Sequence, residues 1–358
     1  MNRRIENRQL VDILALFLIV QFLGIFLIFF SLPPWAISLI TSSTAPTTGA
    51  SQALLLLVYM IVASIILVVV LKRYHGELLY KALEAYVVGV PSFFIFLIVI
   101  GRILPSLPPS EATLPAAAGA IFLIYAKSRN PGLRNATTII SSVGIGIVIG
   151  MYGFSFSYLL MMLVAVYDYV AVFITKHMQV MARAMASRNL SFLIGSSDVS
   201  LVSANAINAK DRKEAMRSAS ALSTANPVLK KYVKRGSIPV MSQIMLGAGD
   251  LAIPLTLSVG AYISFGGLFV PVMIAIGAAV GVMATMLLLR KYMVPLPAIP
   301  PLFAFINIFL AAAFLLKPAL SAGMLPLAFL IVSASILVII YFTLESHPLK
   351  SEEGKAPK

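Results

Sequence analysis

Ten stretches of this chain are apolar for close to the length of a bilayer crossing, and this leaves few folds open to it. A hydrocarbon core of about 30 Å takes about 20 helical residues at 1.5 Å each. The candidate runs are 10–30, 52–71, 84–104, 114–126, 136–152, 157–175, 240–263, 267–289, 298–316 and 320–343. Lipid offers no partners to backbone N–H and C=O groups, so such runs must satisfy themselves as helices. The fourth and fifth runs are short, but Asn130-Pro131-Gly132 between them is a turn signal, so they read as two helices. The first run exceeds the apolar core of a signal peptide, and Leu32-Pro33-Pro34 ends it without a small-residue cleavage site; it reads as an anchor. Composition agrees: 60% of the 358 residues are apolar and only 11% are charged, against about 25% charged in a soluble domain. The expected fold is an all-α, polytopic transmembrane helix bundle.

The formal net charge of +14 could suggest a nucleic-acid partner. Topology accounts for it instead. With Arg3, Arg4 and Arg8 on the inside and ten crossings, every one of the 27 lysines and arginines except Arg102 and Lys317 falls on the inner side, as the positive-inside rule requires. A nine-helix count sends Lys350, Lys355 and Lys358 outward and obeys the rule less well. The N-terminus is therefore expected in the cytoplasm and the protein in the cell membrane, with no nucleic acid as partner. There is no cysteine, so disulfides and thiolate chemistry are excluded. The one long connection, 176–239, is basic. Its start, Lys176 to Met185, has apolar residues at helical spacing between cations. This fits an amphipathic helix on the inner membrane surface, or else a solvated linker.

The acidic residues carry the chemistry. Of 13, most lie in loops or, like Asp12 and Glu84, at helix ends. Asp168 and Asp250 alone fall inside apolar helices, where each carboxyl costs about 2.5–3.5 kcal/mol on insertion scales. No intramembrane Lys or Arg is near in sequence to pair with them. Asp168 is eight residues from the inner end of helix six, about 12 Å deep at the helical rise. Asp250 is ten to thirteen residues into helix seven if that helix starts near 237–240, about 15–20 Å deep by the same rise. The two carboxyls can then face each other on consecutive antiparallel helices, with Gly247 and Gly249 removing bulk beside the second. Two facing carboxyls share one proton; one serves as base toward a water while the other, protonated, polarises a carbonyl. A proton- or cation-coupled transporter could use the same pair, and so could a structural hydrogen bond. A transporter is expected to show repeat symmetry between its halves, and none is visible.

Other catalysts lack their parts. His75, His177 and His347 lie in loops or at interfaces, and there is no His-Glu-x-x-His, so a zinc protease has no ligands and no metal site is expected. A serine protease would lack an embedded histidine base. Ser155-Phe156-Ser157 and Gly144-x-Gly146 read as helix-packing positions, and the intramembrane amides Gln21 and Asn307 as interhelical hydrogen-bonders.

Three motifs carry a resemblance. Tyr167-Asp168 in helix six, Leu246-Gly247-Ala248-Gly249-Asp250 in helix seven and Leu296-Pro297-Ala298-Ile299-Pro300 opening helix nine resemble the Tyr-Asp, Gly-x-Gly-Asp and Pro-Ala-Leu signatures of the presenilin and signal peptide peptidase family. Each is short, but all three occur in order on helices of the right ordinal number, within a resemblance covering 1–316. Two departures stand out: Ile299 replaces the leucine of the third signature, and 320–343 adds a helix to the family's nine.

The resemblance implies an intramembrane aspartyl endopeptidase, of a prokaryotic (archaeal-type) kind, with a nine-helix presenilin-like core and 320–343 as a candidate tenth helix. It implies Asp168 and Asp250 as the catalytic pair. Leu246, Gly247, Ala248, Gly249, Pro297, Ala298 and Ile299 would shape the site and place the substrate. Tyr167 would pack or hydrogen-bond beside Asp168, unless it is simply a core aromatic. The expected partners are transmembrane segments or signal peptides of other proteins and the surrounding lipid, with no cofactor and no obligatory partner subunit. Helix seven running from inside to outside matches presenilin rather than signal peptide peptidase. The expected organisation is 1–175 for helices one to six, 176–239 for a cytoplasmic connection, 240–316 for helices seven to nine, and 317–358 for the extra helix and tail. A substrate must be unwound to be cut, so irregular backbone around Pro297–Pro301 and at the start of helix seven is expected to pair with it as an added strand.

Overall fold

The structure is a computed structural model that describes residues 7–31, 49–73, 77–105, 108–175, 193–203, 237–292, 296–317 and 325–346. Each apolar run contains a helix: α1 (Asn7–Ser31), α2 (Gly49–Arg73), α3 (Glu77–Ile103), α4 (Pro109–Arg129), α5 (Arg134–Gly150), α6 (Phe154–Tyr169), α7 (Ala248–Phe265), α8 (Phe269–Tyr292), α9 (Ile299–Leu316) and α10 (Leu325–Ser346). Pro131–Leu133 forms a single 3₁₀ turn between α4 and α5, where the Asn-Pro-Gly signal separates the two. Among the described residues, seven helices are long and apolar enough to cross a membrane: α1, α3, α6 with its extension, α7, α8, α9 and α10. α5, with 17 residues, spans only about 25 Å.

Two compact units are present. The larger comprises Leu14–Ile194 and Gly247–Lys358, the smaller Met1–Ile13 and Gly195–Leu246. In the larger unit α7 is central: it packs against α5, α6, α8 and α9, while α9 also packs against α6, α8 and α10. The contacts are backbone-close, as expected where lipid gives no hydrophobic drive to association and van der Waals fit must supply it. A Cβ on Gly144 of α5 would sit 2.3 Å from the carbonyl oxygen of Pro91 in α3. Leu255 of α7 fills the space left by Gly24 of α1 and Gly146 of α5, where a Cβ would meet its side chain at 2.4 and 2.8 Å. The Gly144-x-Gly146 pair is thus a packing device, and Ser157 bonds back to the Gly153 carbonyl at 2.8 Å within its own helix. Asn307 joins helices as its type suggests: Tyr158 of α6 donates to its Oδ1 at 2.7 Å. At the far end of α9, the Lys317 ammonium lies 4.4 Å from the centre of the Phe269 ring.

Two features depart from the sequence reading. The all-α bundle stands, but beside its helices the chain carries a two-stranded sheet, β1 (Leu193–Ser203) with β2 (Ser237–Gly247). β2 also takes the residues expected to begin helix seven at 240. Pro239 lacks an N–H and resists a helix interior, β-branched Ile238 and Val240 favour the pleat, and Gly247 is extended at φ −67°, ψ 145°, so the helix starts at Ala248. Likewise Pro300 and Pro301 lie in the first turn of α9, so that among the described residues before this helix Leu296–Ala298 are irregular. The expected surface helix at 176–185 lies outside the described residues.

Candidate active site

Asp168 occupies the last turn of α6 and is only 3% exposed. Immediately after it the helix widens into a π segment, Val170–Ile174, closed by a bond from the Thr175 N–H to the Val170 carbonyl at 2.9 Å. π turns of this kind cluster at functional sites. One carboxylate oxygen, Oδ2, accepts the Ile299 N–H at 3.1 Å. That N–H belongs to the first residue of α9 and has no partner in its own helix, so the carboxylate satisfies a donor that would otherwise be orphaned. The other oxygen, Oδ1, is buried and meets no hydrogen-bond partner among the described residues.

Asp250 is the third residue of α7, in its first turn. The helical rise therefore does not measure its distance from residue 240, because that stretch is strand. Its Oδ2 accepts the Gly247 N–H at 3.2 Å, and a carboxylate in a first helical turn is also favoured by the helix dipole. Gly247 leaves room for this arrangement: a Cβ there would lie 3.1 Å from the same Oδ2. Gly249 differs, since a Cβ on it would meet nothing within 4 Å; this face beside Asp250 is open. α6 and α7 pack together, and Asp250 lies within reach of the Asp168 charge.

The other motif residues fall around this pair in different ways. Ile299 is buried and touches Asp168 through its main chain. Pro297 is buried, while Ala298 caps α9 and is half-buried. Ala248 opens α7, and its carbonyl accepts the Ser142 hydroxyl of α5 at 3.3 Å. Leu246 is buried near the end of β2. Tyr167 is half-buried on α6, about 100° around the helix from Asp168. Its neighbour Tyr169 reaches α10, where its hydroxyl lies 2.7 Å from that of Thr343. Beside it, α6, α9 and α10 enclose an apolar cavity of about 350 Å³ lined by Val166, Tyr169, Pro300, Phe303 and Ile339 among others.

Sequence reasoning passed over Ser142, and it read Gln21 as an interhelical hydrogen-bonder, as it is, but not as a neighbour of the pair. The amide Nδ2 of Asn307 donates to the Phe303 carbonyl inside its own helix at 2.7 Å. By contrast, the Gln21 amide of α1 donates across helices to the Leu251 carbonyl at 3.0 Å, one residue from Asp250. The signal was present as a lone amide in an apolar helix, but only the fold shows what it meets.

Comparison with known proteins bears on the family and the fold. The family model for signal-peptide peptidase, presenilin aspartyl protease matches residues 14–323. Among solved structures, that of a presenilin family intramembrane aspartate protease is similar at 18% identity and a TM-score of 0.51, covering 87% of this chain and 99% of that one. A search of curated proteins returns no match.

Proposed function

The chain belongs to the signal-peptide peptidase and presenilin aspartyl protease family, and from that premise we propose that Asp168 and Asp250 are its catalytic pair, hydrolysing peptide bonds in transmembrane segments or signal peptides. It is an integral, multi-pass membrane protein and an intramembrane aspartyl protease by family. The observation that carries the assignment of the pair is its placement, Asp168 in the last turn of α6 and Asp250 in the first turn of α7, two helices that pack together, with Asp168 Oδ1 buried and without a hydrogen-bond partner among the described residues.

The reaction needs one proton between the two groups. The ionised carboxyl takes a proton from water as the oxygen attacks the scissile carbonyl carbon. The protonated one gives its proton to the developing oxyanion, and the tetrahedral intermediate forms. On collapse the now ionised carboxyl takes a hydroxyl proton from the intermediate as the C=O re-forms, and the other gives its proton to the leaving amine as the C–N bond breaks, returning the pair to a single shared proton. Water is the only co-reactant, so no cofactor is needed, and the chain acts without an obligatory partner subunit.

The Ile299 and Gly247 N–H groups hold one oxygen of each carboxyl and so aim the other toward the reacting centre. The open face at Gly249 admits the peptide backbone. An unwound substrate needs partners for its freed N–H and C=O groups; irregular Leu296–Ala298 offers main-chain groups for strand addition. The inner, cytoplasmic side carries the N-terminus and the 176–239 connection, and the membrane is that of the cell surface. Incubating the purified protein in lipid with a model transmembrane peptide tests the reading: endoproteolysis within the apolar segment supports it, and no cleavage of any such peptide rejects it.

A further inference from the structure

The first turns of α7 are gripped from both sides by a repeated device. α1 presents Gln21 and Gly24, and α5 presents Ser142 and Gly146. On each helix the two residues are three or four apart, so they share a face. On each, the glycine receives Leu255, and the polar residue donates to a carbonyl of the turn that bears Asp250. Gln21 Nε2 meets the Leu251 carbonyl at 3.0 Å, and Ser142 Oγ meets the Ala248 carbonyl at 3.3 Å. The two accepting carbonyls bracket Asp250.

The turn needs such support. It sits at a strand-to-helix junction, where first-turn N–H groups have no helical partners. Four residues after Asp250 stands Pro254, which has no N–H to give the Asp250 carbonyl, so the ladder is broken at the catalytic residue itself. Packing alone does not explain the polar side chains. Gln21 is 1% exposed and its Oε1 has no partner among the described residues; an apolar residue of the same shape would fill the space without burying an unsatisfied oxygen. Only its nitrogen end can meet a carbonyl, so the bond to Leu251 is what the amide supplies.

We propose that Gln21 and Ser142 are positioning residues that clamp the turn carrying Asp250 and hold its carboxyl toward Asp168. This rests on the proteolytic reading above. The clamp acts on the chemical step and leaves substrate binding alone, so its loss lowers kcat while KM stays.

The test measures cleavage of a model transmembrane peptide by the full chain in lipid. Gln21→Met, similar in volume but without a donor, is expected to lower kcat about three- to tenfold, with KM within about twofold. Ser142→Thr and Ser142→Val add the same bulk at a site with no exposure and differ only in the hydroxyl. The threonine variant is expected to be faster than the valine variant by about the same factor, at matched melting temperature. Equal rates for that pair, or a wild-type kcat for Gln21→Met, would overturn the clamp. If Gln21→Met does not fold, the threonine–valine comparison decides alone. Wild-type protein that cleaves no transmembrane peptide overturns the proteolytic reading and the clamp together, whereas an active wild type with unaffected variants removes the clamp only.

Discussion

The main-chain N–H of Ile299 meets Asp168 Oδ2 at 3.1 Å, joining two residues 131 positions apart. One sequence motif therefore holds the carboxyl of another, the proposed catalytic group, through its backbone. The side chain at 299 can vary within limits, but the N–H cannot. Ile299→Leu, a volume-conserving change at a buried position, should lose less than about 1.5 kcal/mol of stability and keep its cleavage rate within about threefold. Ile299→Pro deletes the donor and also disfavours the helical ψ of −37° at Ala298, since the residue before a proline avoids that region. A hydrogen bond to a charged group contributes about 1.5–3 kcal/mol, so the proline variant should lose roughly 10–100-fold in kcat. Steady-state cleavage of one peptide by the two variants checks both.

The two glycines before Asp250 should separate kinetically. A Cβ at Gly247 would press on Asp250 Oδ2, while one at Gly249 would enter open space. Gly247→Ala should lower kcat about 3–10-fold by displacing the carboxyl. Gly249→Ala should fold as well as wild type or up to about 1 kcal/mol better, and raise KM because its methyl projects where substrate lies. An unchanged KM for Gly249→Ala would place the substrate elsewhere.

A pair that works with one shared proton loses activity on both flanks of its pH range. Well below both proton steps the two carboxyls are protonated and no base remains. Well above both, the two are ionised and no acid remains. The cleavage rate should therefore trace a bell, measured at saturating peptide in one lipid. A rate that is flat from acid to neutral pH would contradict the shared proton.

α10 is long and apolar enough to cross the membrane, and the expectation from the sequence is that it adds a crossing to nine. If all ten helices cross, both chain ends lie on the same side. The chain has no cysteine, so single cysteines placed near Lys355 and near Arg3 can be labelled in intact membranes without background. Both should react with an impermeant reagent only from the cytoplasmic side; labelling of the two from opposite sides would mean nine crossings.

Much of the bundle was legible because lipid imposes a length: each run of about 20 apolar residues had to be one helix, and each contains one. Asp168 and Asp250 stood out because nothing apolar excuses a carboxyl there. The strand at Ser237–Gly247 did not, since a short apolar run beside a long one looks alike as strand or helix, and only Pro239 spoke against the helix. The roles of Ile299, Gln21 and Ser142 were hidden for another reason. One acts through its main chain, which every residue possesses, and Gln21 meets a carbonyl 230 positions away. Such pairings follow from which helices touch, and local pattern does not carry that.

The central claim is that two carboxyls share one proton and together do the chemistry. It is tested most directly by purified Asp168→Asn and Asp250→Asn proteins in lipid, each assayed against a model transmembrane peptide beside wild type. Asparagine keeps the shape of the side chain and an oxygen to accept the Ile299 or Gly247 N–H, so both variants should fold with melting temperatures close to wild type. Each alone should lose at least about 10³-fold in cleavage rate, and the double variant little more, because the groups act as a unit. Cleavage at the wild-type rate by either single variant would contradict it.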